Sequence, residues 1–113
     1  MATYDAALHI DAFENMERGL KTVYAVLNSP EYEFMSMGDR LEFGSHGSIT
    51  VGTVRKYPDL EALCQDQGFK NVVPEANTEE DAIAGIRELP EWNTKMEEER
   101  GVLALRVRET RRK

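Results

Sequence analysis

The chain has little of the residue chemistry that marks common enzyme classes. Of its 113 residues only one, Cys64, is a cysteine and only two, His9 and His46, are histidines. A lone thiol excludes an internal disulfide and a cysteine-based zinc site. Two histidines so far apart do not make a metal site either, which needs more ligands at defined spacing. No glycine pattern of the phosphate-binding or dinucleotide-binding kind occurs. Ser45 has His46 beside it but no histidine–acid pair that would announce a nucleophilic triad. No apolar run approaches the ~20 residues of a membrane helix, and the opening Met1-Ala2-Thr3-Tyr4-Asp5 has neither the basic nor the apolar part of a secretory signal. These absences lead us to expect a cytoplasmic protein with no bound cofactor, no metal and no membrane partner.

What is present suits one folded domain spanning residues 1–113. Apolar residues make up 41% of the chain, enough for one core at this length. Twenty-one acidic residues against fourteen basic ones give a net charge of −7. A protein gripping nucleic acid mainly through phosphates is usually basic. The charge is uneven, however. Glu75 to Glu99 is acidic, and its helical face from Thr78 to Glu99 could receive a protein partner, whereas Arg106, Arg108, Arg111, Arg112 and Lys113 make the end basic. Residues 109–113 read as a basic tail.

Along the chain the pattern is α+β. Ala6 to Ile10 reads as a first strand, and Asp11 with Glu14 three residues on has the spacing of a capping box. Phe13 and Met16 share a face of the helix that follows, and Gly19 is a natural stop. Lys21 to Leu27 reads as a second strand, with Val23, Ala25 and Leu27 alternating toward one side. Asn28-Ser29-Pro30 breaks it. Arg40 to Phe43 forms a short strand, Gly44-Ser45-His46-Gly47 a hairpin connection, and Ser48 to Lys56 a strand rich in β-branched residues. A helix opens at Tyr57-Pro58-Asp59, with Leu60, Leu63 and Cys64 on one face, and ends at Gly68. Phe69 to Pro74 reads as an apolar connector. Thr78 caps a helix with an acidic first turn, which Pro90 closes, and Gly101 starts a last strand. Five to six short strands and about three helices in this order predict a small mixed β-barrel with the helices packed outside, because closure removes exposed strand edges.

Several local features recur together: Gly19-x-Lys21-Thr22 opening a strand, Gly38-Asp39 before a short strand, Val54-Arg55-Lys56-Tyr57 ending a long one, Val73-Pro74-Glu75 between helices, and Gly101-Val102-Leu103-Ala104-Leu105 near the end. In this order they resemble the ASCH family over residues ~4 to 108. The resemblance implies a PUA-like barrel with a central cleft and an association with RNA or a modified nucleoside. Some members of the family are amidohydrolases of acetylated cytidine that use a lysine, a threonine and a glutamate. Lys21 matches that lysine, Tyr24 falls where the threonine stands, and Glu75 is the best match to the glutamate. Val26 stands where the family strand tends to carry an arginine.

The candidate site is therefore Lys21, Tyr24 and Glu75 as catalytic residues, with Thr22, Asn28, Arg55 and Trp92 as binding residues. Burial could lower the Lys21 pKa and make the amine a general base; the plain alternative is a strand-end lysine in water. Tyr24 could stack on a base or use its hydroxyl, or simply form part of the barrel wall. Glu75 could shuttle a proton or sit exposed in a turn, and Trp92 could plug a barrel end or stack on a base. Two readings of function follow. One is binding of RNA or a modified nucleobase in the cleft. The other is hydrolysis of an N-acylated pyrimidine nucleoside.

Overall fold

A computed structural model describes all 113 residues. Five strands form a single sheet: β1 (Thr3–Asp5), β2 (Val23–Leu27), β3 (Arg40–Glu42), β4 (Gly47–Tyr57) and β5 (Val102–Arg112). Their spatial order is β1-β3-β4-β5-β2, with β1 and β3 parallel and every other pair antiparallel. Five helices complete the chain: α1 (Ile10–Glu17), α2 (Leu60–Gln67), α3 (Phe69–Val72), α4 (Glu79–Arg87) and α5 (Thr94–Arg100). The fold is mixed α+β, a five-stranded sheet curled into a half-barrel. No helix is long and apolar enough to cross a membrane.

Ladder geometry explains the curl. β4 and β5 are both long, and their register slips between Thr50 and Val54, the kind of irregularity that bends a strand and increases its twist. Closure stops short of a full barrel. β1 and β2 are the two edges, and neither pairs with the other.

The sheet separates two apolar clusters. Inside the curl lie Phe13, Tyr24, Val26, Leu41, Phe43 and Leu105, among others. On the other face Val23, Leu27, Val102 and Ala104 meet Leu60, Leu63, Val72 and Ile83 from the helices. Successive residues of a strand point to opposite faces, so β2 and β5 feed both clusters alternately.

Capping accounts for the helix starts. The Asp59 carboxylate accepts from the Ala62 amide at 2.8 Å, the Thr78 hydroxyl from Asp81 at 3.0 Å and the Asn93 side chain from Met96 at 3.0 Å, each satisfying a free first-turn donor.

Four expectations change. Ala6 to Ile10 is not a strand: β1 lies earlier, and Ile10 already begins α1 with His9, not Asp11, as N-cap. A short apolar run cannot be assigned by periodicity alone. Phe69 to Val72 is a single helical turn, and α5 was hidden in an acidic stretch with little apolar periodicity. The supposed basic tail is strand. β5 runs to Arg112 and pairs with Gly47 to Thr50, while Arg112 bonds the Glu17 carboxylate and its guanidinium lies 5.8 Å from the Phe13 ring centroid.

Candidate functional site

Because β2 is an edge strand, the half-barrel leaves an opening along its free side. A cleft of about 810 Å³ lies there, walled by α1 and the chain before it on one side and by the α3–α5 region on the other. This volume is within the range of small-molecule sites, roughly 300–1,000 Å³. Lys21, Tyr24, Glu75 and Trp92 all line it.

Lys21 is placed by the end of α1. Gly19 adopts a left-handed φ of 76°, a conformation that costs glycine little. The amides of Leu20 and Lys21 then bond the Asn15 carbonyl at 3.0 and 3.1 Å. This tight turn sends the Lys21 side chain inward, where it is 8% exposed. Its ammonium donates to the carbonyl of Val72, the last residue of α3, one of the acceptors a helix end leaves free. Burial pushes the Lys21 pKa down from 10.5 to about 8, partly offset by the charges of Glu75 and Cys64. Near pH 8 the amine is thus divided between a charged donor and a neutral base.

Tyr24 stands beside it, with the Lys21 Nζ 5.4 Å from the ring centroid. The ring is buried and packs edge-on against Phe43 at 5.3 Å and 87°, a favoured aromatic geometry. Burial, with a contribution from Glu91, holds the phenol well above its ordinary pKa. Tyr24 therefore stays protonated, which suits a hydrogen-bond donor and not an anionic nucleophile. Glu75 is exposed and accepts from the Asn15 side chain at 3.1 Å. Trp92 is half-buried, with its indole N–H directed to Glu97 at 3.1 Å.

The other three candidates lie outside the cleft lining. Thr22 works through its backbone, donating to the Asn71 carbonyl at 3.0 Å and accepting from Val107 at 2.9 Å. Asn28 is a buried clamp: its side chain donates to the Arg100 carbonyl at 3.1 Å, and its own carbonyl accepts from Arg100 Nε at 2.6 Å. Arg55 is on the outer face of β4, paired with Asp66 at 3.1 Å. It borders a separate polar hollow with Thr53, Gln67 and Arg106.

Sequence reading missed other cleft residues. His9 and Glu91 bond across it at 2.7 Å, joining segments far apart in the chain. Tyr32 lines it too, its hydroxyl donating to the Asp5 carbonyl at 2.6 Å. None of these carried a local signal, because each acquires its role only when distant segments meet. Four carboxylates, Asp5, Glu31, Glu75 and Glu91, face the cleft against the single lysine. Its electrostatics therefore oppose a phosphorylated ligand.

Glu97, also missed, is a structural feature beside the site. Although it stands in the acidic run, it is only 2% exposed. It accepts from the Leu60 amide at 3.0 Å, from Arg87 at 2.7 and 3.1 Å and from Trp92 at 3.1 Å.

No protein-family profile and no curated protein matches the chain. Solved structures do match its fold. The crystal structure of hypothetical protein PH0355 is similar over 100% of both chains, with a TM-score of 0.83 and 20% identity. The solution structure of protein PF0455 from Pyrococcus furiosus matches over 93% of this chain and 94% of its own, with a TM-score of 0.75 and 20% identity. At this identity the likeness is one of fold.

Proposed function

We propose that the chain is an ASCH-like domain whose cleft binds a free nucleobase or nucleoside. The observation that carries this reading is the buried Lys21 ammonium, held at the Val72 carbonyl and beside the Tyr24 ring in a cleft of about 810 Å³. A fixed donor deep in a half-apolar cleft suits a small ligand with a carbonyl or ring-nitrogen acceptor. Half-buried Tyr32 and Trp92 on the cleft wall offer aromatic faces for a base, while Tyr24, whose ring is occupied by Phe43, offers its hydroxyl. The acidic surround favours a nucleoside over RNA, since Arg106, Arg108 and Arg111 belong to β5 and are outside the cleft lining. A cytoplasmic setting, where Cys64 persists as a free thiol, goes with this reading.

Hydrolysis of an N-acylated pyrimidine nucleoside is the second reading, and the lowered Lys21 pKa favours it. With a pKa of about 8, Lys21 supplies a growing share of neutral amine at mildly alkaline pH, the form that can take a proton from an attacking water. Glu75 and the protonated Tyr24 would then serve as proton carrier and donor.

Titrating cytidine, acetylcytidine and cytidine monophosphate into the protein, with acetate release followed in parallel, tests both readings. Cytidine should bind more tightly than its monophosphate, and Tyr24→Phe should weaken cytidine about 3- to 10-fold through loss of one hydrogen bond. Acetate release that disappears in Lys21→Ala would add the hydrolase. Absence of nucleoside binding at millimolar concentration would overturn the proposal.

A further inference from the structure

The floor of the cleft is the unpaired edge of β2, and its hydrogen-bonding pattern can be worked out from the register. β2 pairs antiparallel with β5, Val23 opposite Arg106 through Leu27 opposite Val102. In such a ladder, pairs that exchange hydrogen bonds alternate with pairs that do not. Two bonds set the phase: Asn28 N–H donates to the Gly101 carbonyl at 3.0 Å, and Val107 N–H to the Thr22 carbonyl at 2.9 Å. Tyr24 and Val26 therefore bond β5. The N–H and C=O groups of Val23, Ala25 and Leu27 point away from it, toward the open side. No turn, loop or cap hydrogen bond takes up any of them. Of these three residues, Ala25 and Leu27 line the cleft and Val23 does not.

An open strand edge ordinarily invites another strand. Here both ends are closed. At the start, the Thr22 amide is taken by Asn71 and the Lys21 ammonium by Val72. At the far end, Asn28 is clamped to Arg100 and followed by Ser29 and Pro30. Within the cleft a peptide strand finds only Ala25 and Leu27 open, a short run, whereas a small planar molecule needs only one residue. An extended residue presents N–H and C=O side by side, the complement of a molecule with an acceptor and a donor on adjacent atoms. The cleft's carboxylates further favour an uncharged ring over an anion.

We infer that the backbone of Ala25 is the recognition element of the cleft, its N–H and C=O pairing with a lactam or amidine edge of the ligand. This rests on the nucleobase reading and narrows it. The ligand presents the ring N–H and carbonyl edge of a uracil-type base, or its cytosine equivalent, and modification of that edge is what the site detects. Lys21, two residues before the strand, is then left for a substituent beyond the paired edge.

Residue-resolved NMR on the full chain provides the test. Without ligand, the Ala25 amide should exchange with solvent at least 10-fold faster than those of Tyr24 and Val26; slow exchange at Ala25 would overturn the inference. Uridine should shift and protect the Ala25 amide, and 3-methyluridine, whose edge is blocked, should bind at least 10-fold more weakly. Equal binding of the two nucleosides would overturn the edge recognition while leaving the nucleobase reading intact. If neither nucleoside binds, 2-pyrrolidone against its N-methyl derivative separates the claims. A response at Ala25 to the first alone keeps the edge and discards the nucleobase, and no response to either discards both. Ala25→Pro removes the N–H at a position where an edge strand tolerates proline. It should fold and lose uridine binding at least 10-fold; retained binding would overturn the inference.

Discussion

Replacing Lys21 with methionine should change how stability depends on pH, by an amount the burial of the amine sets. The folded protein releases the Lys21 proton near pH 8, whereas the unfolded chain holds it to about 10.5. Between those values the unfolded state carries more protons, so stability rises with pH across that window. The gap amounts to about 3 kcal/mol at about 1.4 kcal/mol per pH unit. Other groups act in the opposite sense. Burial raises Cys64 from 9.0 to about 11 and also lifts Tyr24 and Tyr32. For these the unfolded chain loses its proton first, and stability falls as pH rises above their ordinary values. The tyrosine contributions are common to both proteins and cancel in a difference, and Cys64 is the weakest of the three influences on the Lys21 amine. Denaturant unfolding of wild type and Lys21→Met at intervals from pH 7 to 10.5 should therefore give a difference that moves about 3 kcal/mol in favour of wild type as pH rises. Profiles parallel within ~0.5 kcal/mol would refute the burial of a charged amine. They would also remove the basis for treating Lys21 as a proton acceptor.

The buried Glu97 yields a second prediction. Glu97→Gln should cost about 3 kcal/mol, because Arg87 loses the buried one of its two carboxylate partners, keeping only Glu61, and an amide replaces an acceptor facing three donor groups. Burial alone would raise the Glu97 pKa, but the bonds from Arg87, Leu60 and Trp92 outweigh it and hold the carboxyl below its ordinary value. Its stabilisation is present above the ordinary carboxylate range and lost as pH falls through the lowered value, so the variant should show a flatter acid limb in chemical unfolding. Gly101→Ala should destabilise by more than ~1 kcal/mol in the same assay. Gly101 sits at φ 80°, and a Cβ there would run into the Tyr57 carbonyl; unchanged stability would refute the close approach.

Much of the architecture was legible because its causes are local. Gly19 as a helix stop, Tyr57-Pro58-Asp59 as a helix opening, Thr78 as a cap, the Gly44–Gly47 hairpin and the β-branched strand after it each follow from residue chemistry within a few positions. The placement of Lys21 after a left-handed glycine belongs with them. Helix α5 was not legible, because its buried side includes a carboxylate that makes sense only beside Arg87 and Trp92.

The site divides in the same way. Sequence by itself supplied the small set of chemically capable residues, since chain chemistry limits where a lysine, a tyrosine and a post-proline glutamate can matter. Whether they share one cavity depends on long-range packing. Alternation along β2 put Tyr24 and Ala25 on opposite faces, and that remains true of the two cores. The cleft receives both because it lies at the strand's edge and not on either face. An edge is a property of sheet order, which pairs β2 with the last strand and leaves its other side open. No local pattern encodes that choice. Tertiary structure alone tied Thr22 through its backbone and Asn28 to Arg100, set Arg55 on another surface, and turned the Ala25 amide from a ladder group into a free one.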